Sequence, residues 1–341
     1  MKVRKSLITV VMTVALLLGT VFAGGPAQAA YAEPSAGGSE ELSAKTAVTD
    51  PADFTYYYSK KYKGIYITEY IGSSTAVRVP VQIGGKDVVR VDLHNNEQPI
   101  KYLSLENSKV KYLDCMNNKI TTLDLSGCKS LTTLDCKFNN LQSLNVTDCK
   151  KLKILECSCN QLKKLNLSGS QNLISLRCGS NKLTSLDVTK CKKLKELDFS
   201  SNKITKINLS KCKKIVTLDC YGTGLKSLNV SALTALKELQ CSYNKLTSLN
   251  VKKNANLVLL RFDHNKIKKI DVSKCKKIYV IWAHHNPGFS GIDVSKCPKL
   301  DLLELDKKIS KSKLNARLKK YDPYWSDAYD CWIYQGSGNW D

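Results

Sequence analysis

Fourteen cysteines, four histidines and a recurring row of carboxylates are the residues of this 341-residue chain that could do chemistry. Metal binding needs ligands that converge, and nothing in the cysteine spacing does so. Cys115, Cys136, Cys157, Cys178, Cys220 and Cys241 share one phase of a repeat, and Cys128, Cys149, Cys191, Cys212, Cys275 and Cys297 share another. The first phase also admits Phe199, Phe262 and Ala283, the second Ser170, Leu233 and Asn254, so both read as core positions filled by free thiols. Disulfides along either series are disfavoured, because in-register strands about 4.8 Å apart hold their Cβ atoms beyond bridging distance. Cys159 and Cys331 belong to neither phase and are the expected reactive thiols, with Cys159 facing outward. His264 and His285 occupy one phase of adjacent repeats, but two histidines without a third ligand do not make a metal site, so none is expected. Asp114 and Asp135 would stand about 5 Å apart on neighbouring strands, a spacing glycosidases also use. An active site is one constellation, however, and this acidic stripe recurs. The chain has no G-x-S-x-G, no H-E-x-x-H and no phosphate loop, so the expectation is a protein that is not an enzyme and takes no cofactor.

The elements that position these residues follow from an internal period of 21 residues, with copies opening at Val110, Leu131, Leu152, Leu173, Leu194, Ile215, Leu236, Leu257 and Ile278 and a half copy at Leu300. The copy at Ile278 carries one extra residue in the turn-rich segment 287–291. Each unit reads L-x-x-L-x-C-x-x-N-x-L-x-x-L-x-L/V-S-x-C-x-x, as in Leu131, Leu134, Cys136, Asn139, Leu141, Leu144, Val146 and Cys149. Apolar residues at unit positions 4 and 6, between polar ones, give the alternation of a strand buried on one face. Positions 14 and 16 place a second extended segment on the opposite wall. Twenty-one residues leave little room for an α-helix, so the unit stacks as a coil that buries its leucines only against its neighbours.

On these residues the pattern resembles a leucine-rich repeat of the short kind found in secreted bacterial proteins of the internalin-like and surface-antigen-like types, over about residues 88–306. The resemblance implies a solenoid with a parallel β-sheet on its concave face, short extended segments on the convex side and little or no helix in the repeats. It also implies that the position-9 asparagines, Asn96, Asn118, Asn139, Asn160, Asn181, Asn202, Asn244, Asn265 and Asn286, form an inward ladder that pairs backbone groups. Thr223 replaces one of them, and Gly222 and Gly224 beside it suggest an altered turn. Residues 64–75 and 79–86 resemble the β-hairpin-like entry segment of surface-antigen-type proteins. The resulting division is a signal peptide (1–29), a flexible leader (30–53), a β-rich N-terminal cap (54–87), the solenoid (88–306) and an aromatic-rich C-terminal cap (307–341).

The signal peptide follows from Lys2, Arg4 and Lys5 before the apolar run 7–23 and Ala27-Gln28-Ala29. No other run is long enough to span a membrane, so a secreted protein, free or associated with the cell wall, is expected. On the outward face of the strands the expected ligand-binding strip comprises Asp114, Asp135, Glu156, Arg177, Asp198, Asp219, Tyr221, Tyr243, Arg261, His264, Trp282 and His285. Its aromatics thicken toward the C-terminal coils, where they read as rigid anchors for a protein or peptide partner on a host or bacterial surface. Of the formal charge of +23, the repeats carry +21, since residues 110–299 hold 34 Lys+Arg against 13 Asp+Glu. It forms lysine rows, including Lys192, Lys193, Lys213, Lys214, Lys276 and Lys277, that either keep a leucine-rich solenoid soluble or bind an anionic cell-wall polymer or glycan. Nucleic acid is not an expected partner, because export removes it and the rows lack interleaved aromatics. The leading reading is a secreted binding protein acting in adhesion. The alternative is a structural wall-associated protein held by its lysines.

Overall fold

The structure, a computed structural model, describes residues 47–320 and 322–336, so the expected signal peptide and most of the leader lie outside it. Three-residue strands recur at positions 3 to 5 of each unit, among them Tyr112–Asp114, Thr133–Asp135, Ile154–Glu156 and Ser175–Arg177. They continue through Glu196–Asp198, Thr217–Asp219, Glu238–Gln240, Leu259–Arg261 and Val280–Trp282 to Leu302–Leu305. All pair parallel and in register, so that Leu134, Leu155, Leu176, Leu197, Leu218, Leu239, Leu260 and Ile281 form one continuous inner row. Each of these side chains, and each cysteine of the two phases, is buried. The product is a parallel β-solenoid, with no α-helix among the described residues.

On the opposite wall, Ala76–Arg78, Tyr102–Ser104 and Thr122–Asp124 form a short parallel sheet. Further along, that wall retains only single bridges such as Asn145 with Asn166. Asparagine and aspartate at position 15 turn the chain there, as where Asn145 Oδ1 accepts from Thr147 N–H at 3.1 Å and Asp187 Oδ1 from Thr189 N–H at 2.9 Å. The position-9 asparagines close the inner side. Asn139 Nδ2 donates to the carbonyls of Cys115, Cys136 and Lys137 at 2.9, 3.1 and 3.3 Å, while its Oδ1 accepts from Ile120 N–H at 2.9 Å. One side chain thus satisfies backbone groups of two coils. Thr223 supplies only a hydroxyl, which donates to Cys220 O at 3.1 Å, and Asn244 Oδ1 in the next coil accepts from the N–H groups of both Gly224 and Leu225. Gly222 (φ 62°) keeps the left-handed backbone of its equivalents, so the altered turn is confined to Gly224 (φ 87°).

The entry differs from the expected hairpin. Gly64–Tyr70 pairs antiparallel with Phe54–Ser59 and parallel with Lys86–Asp92, while the tight hairpin joins Gln82–Ile83 to Lys86–Asp92 through Gly84 and Gly85, both at positive φ. The end of the expected leader is tied down: Thr49 N–H donates to Arg78 O at 3.0 Å, and Thr49 Oγ1 accepts from Arg78 N–H at 2.9 Å. At the other end Cys331–Gln335 adds antiparallel to Leu302–Leu305 and carries Tyr324–Ser326. Buried Asp301 anchors this end, accepting from Arg317 Nη2 at 2.5 Å and Nε at 3.0 Å.

Candidate binding face

The outward positions of the strands carry three kinds of group, and burial separates them. Asp114, Asp135, Glu156, Asp198 and Asp219 are half-buried, and most have a structural task that their repetition did not reveal. The carboxylates of Asp114, Asp135, Asp198 and Asp219 each accept from the N–H two residues on, at 3.1, 3.2, 2.9 and 2.9 Å. The acidic stripe is therefore largely a row of strand-ending turns, whose acceptors satisfy N–H groups where pairing stops. Arg177 is exposed and spans the acids, 3.4 Å from both Glu156 and Glu196. Burial and the neighbouring Asp198 push the Asp219 carboxyl up to about 7, against the Tyr221 N–H and Arg261, which favour its charge.

Two residues of the expected strip are not free. Arg261 is buried, 8% exposed, and its guanidinium carbon lies 3.3 Å from the Trp282 ring centroid. Trp282 is half-buried beneath it, and both Arg261 Nε and Trp282 Nε1 are buried without a hydrogen-bond partner. The reading of Trp282 as an exposed anchor is corrected accordingly: its ring covers a desolvated cation.

The aromatic row does assemble. Position 8 adopts the left-handed region in successive coils, with Phe138, Cys159, Ser180, Ser201, Gly222, Tyr243, His264 and His285 at φ between 49° and 62°. That backbone costs an L-residue about 1 kcal/mol or more at each position and aims the side chains to one edge, where they stack across coils. Tyr243 and His264 rings lie 3.8 Å apart at 12°, His264 and His285 4.2 Å apart at 14°, and Tyr221 closes on Tyr243 at 4.9 Å. Tyr243 is 48% exposed and Tyr221 half-buried.

The expectation that the histidines lack a third metal ligand is also corrected, because His284 joins them. Ligand atoms of His264, His284 and His285 lie within 4.8 Å of one another, as do those of His284, Glu304 and Cys331. His264 Nδ1 is 3.1 Å from Asp263, His284 Nδ1 3.2 Å from Glu304 and His285 Nε2 3.7 Å from Asp330. Burial alone would lower the His284 imidazole, but Glu304 and Asp263 outweigh it and hold it up. Burial and the two neighbouring histidines push His285 down.

Every described cysteine is free, and Cys159 is half-buried. Cys331, expected among the reactive thiols, is buried, its thiol pushed up to about 12 by desolvation and nearby carboxylates. Lys192, Lys193, Lys213, Lys214, Lys276 and Lys277 are all exposed.

Residues 171–211 match the family profile described as leucine-rich repeats, in two copies. The fold is that of a leucine-rich-repeat solenoid. The solenoid is similar to the functional domain of InlJ from Listeria monocytogenes, which includes a cysteine ladder (TM-score 0.56, 24% identity, 73% of this chain and 69% of that one). It is also similar to a leucine-rich-repeat protein of Leptospira interrogans (0.53, 21%, 66% and 68%) and to the internalin InlF of Listeria monocytogenes (0.52, 17%, 69% and 79%). At these identities the likeness is one of fold. No curated protein matches the sequence. No helix among the described residues is long and apolar enough to cross a membrane.

Proposed function

We propose that this chain is an exported, non-enzymatic recognition protein whose strand face takes a protein or peptide partner on a host or bacterial surface. The observation that carries this reading is the aromatic row from Tyr221 through Tyr243 and His264 to His285, stacked across four coils with Tyr243 open to solvent. Such a row is rigid before any partner arrives, so little side-chain entropy is lost on contact. Its position on the face of a leucine-rich-repeat solenoid, the fold shared with internalins, supports the assignment.

A second reading keeps one specific observation in its favour. Lys193 Nζ donates to Asn172 Oδ1 at 2.7 Å and Lys277 Nζ to Asn256 Oδ1 at 2.7 Å, partners that fix the ammonium groups without neutralising them. Such rows suit an anionic cell-wall polymer or glycan. Salt distinguishes the two, because polyanion binding weakens steeply with ionic strength and aromatic contact does not. The test is binding of the purified chain to intact host cells and to isolated bacterial walls over a salt series, beside Tyr221→Ala/Tyr243→Ala. Salt-resistant cell binding lost in the double variant is expected. Wall binding that collapses with salt and ignores the double variant would assign the function to the lysines.

A further inference from the structure

We propose that His264, His284 and His285 form a binding site for one divalent transition-metal ion of the zinc class. Three imidazoles from two adjacent coils meet at the C-terminal end of the strand face, their ligand atoms mutually within 4.8 Å. A tetrahedral ion about 2.0–2.1 Å from each nitrogen needs them about 3.3 Å apart, so a modest contraction completes the set.

The surroundings fit ligands better than they fit three idle histidines. Each imidazole has a carboxylate against one nitrogen only: Asp263 on Nδ1 of His264, Glu304 on Nδ1 of His284 and Asp330 on Nε2 of His285. A hydrogen bond of this kind, as between Asp263 and His264 Nδ1 at 3.1 Å, fixes the tautomer and raises the basicity of the remaining nitrogen, and Glu304 and Asp330 are placed on the corresponding side of His284 and His285. Asp263 is itself buried and held by Ser242 Oγ at 2.5 Å. His284 is 6% exposed, and its Nδ1 faces Glu304 at 3.2 Å, which leaves Nε2 for an ion. His285 Nδ1 is buried and unpartnered. A buried imidazole nitrogen left unpaired is costly, and a cation beside it would answer that cost together with the surplus negative charge of Asp263 and Glu304.

Access selects this group over the neighbouring set of His284, Glu304 and Cys331, all three of which are buried. The side chains of His264 and His285 are 30% and 35% exposed, so an ion can enter from solvent. The two rings are stacked at 14°, and because an imidazole lone pair lies in the ring plane, one of them must turn about its Cβ–Cγ bond to coordinate. Loading therefore opens part of the aromatic stack. With three protein ligands the ion keeps a position for water or for a donor from outside. The inference does not rest on the strand face binding a protein, although His264 and His285 belong to the same aromatic row.

The test is titration of the chelator-stripped full chain with Zn²⁺ alone, followed by calorimetry and by the imidazole NMR signals. Saturable binding of an ion is expected, with His264, His284 and His285 shifting together. His264→Ala/His285→Ala, which alters only half-buried side chains, should weaken binding at least about 100-fold, while Cys331→Ser should leave it within about threefold. Absence of saturable binding, binding indifferent to the double histidine variant, or binding lost in Cys331→Ser would each overturn the proposal.

Discussion

The Arg261 guanidinium packs face-on against Trp282, its register partner in the next coil, with 3.3 Å between the guanidinium carbon and the ring centroid. A charge that is 8% exposed is held chiefly by that ring and by the field of Asp263, Glu304 and Asp219. Trp282→Ala should therefore cost about 3–5 kcal/mol of unfolding free energy, by cavity formation and by stranding Arg261. Tyr243→Ala, which removes an exposed ring, should cost under about 1 kcal/mol. Urea unfolding of the two variants checks the contrast, and equal losses would mean that Trp282 is no more structural than Tyr243.

Asn160 serves two coils, with Nδ2 on the carbonyls of Cys136 and Cys157 at 2.9 and 3.2 Å and Oδ1 on Leu141 N–H at 3.0 Å. Asn160→Ala leaves these buried groups unpaired and should destabilise by about 2–4 kcal/mol. Asn145→Ala on the opposite wall, where the turn it holds is exposed to water, should cost under about 1 kcal/mol. Denaturant midpoints of the pair test whether the inner ladder carries the difference.

The raised Asp219 carboxyl has a pH signature. Because burial and Asp198 push it up to about 7 in the folded chain, above its ordinary 3.8, the folded state holds an extra proton between those values. Stability from this group is present below about pH 4 and is lost as pH rises through about 7. Asp219→Asn keeps an acceptor for the Tyr221 N–H and removes the half-buried charge. It should raise stability by about 1–4 kcal/mol at pH 8 and by little at pH 4.5, as measured by urea unfolding at both values. An equal effect at the two pH values would contradict this assignment.

Thiol accessibility gives a further contrast. Desolvation pushes the Cys149, Cys191 and Cys275 thiols up to about 12, and the ladder cysteines are fully buried. Burial also pushes the half-buried Cys159 thiol up, but it alone is not fully enclosed, so in the native state a thiol-selective reagent should modify one cysteine per chain ahead of the rest, and Cys159→Ser should remove that phase. The others should react only on unfolding, Cys331 included.

Much of the fold was legible in the sequence because a period constrains every coil at once: the inner leucines, the asparagine ladder and the free buried thiols all follow from phase. Register says which side a residue faces, not what packs on it. It therefore could not show that Asp114, Asp135, Asp198 and Asp219 spend their carboxylates on N–H groups two residues on, nor that Trp282 lies under Arg261. The Asx-type spacing was present in the sequence, but its recurrence suggested a surface stripe. His284 was missed as a third imidazole for a different reason. Its burial and its contact with Glu304 arise where the C-terminal strand Cys331–Gln335 closes the solenoid, and that tail has no repeat from which to read its placement.

The central claim is that the aromatic row, not the lysines, makes the functional contact. Its most direct measurement is retention on intact host cells at high salt, comparing the chain with Tyr221→Ala/Tyr243→Ala and with Lys192→Ala/Lys193→Ala/Lys213→Ala/Lys214→Ala. Loss of binding in the tyrosine variant, with the lysine variant retained, is the predicted result. Retention of the tyrosine variant with loss of the lysine variant would contradict the account.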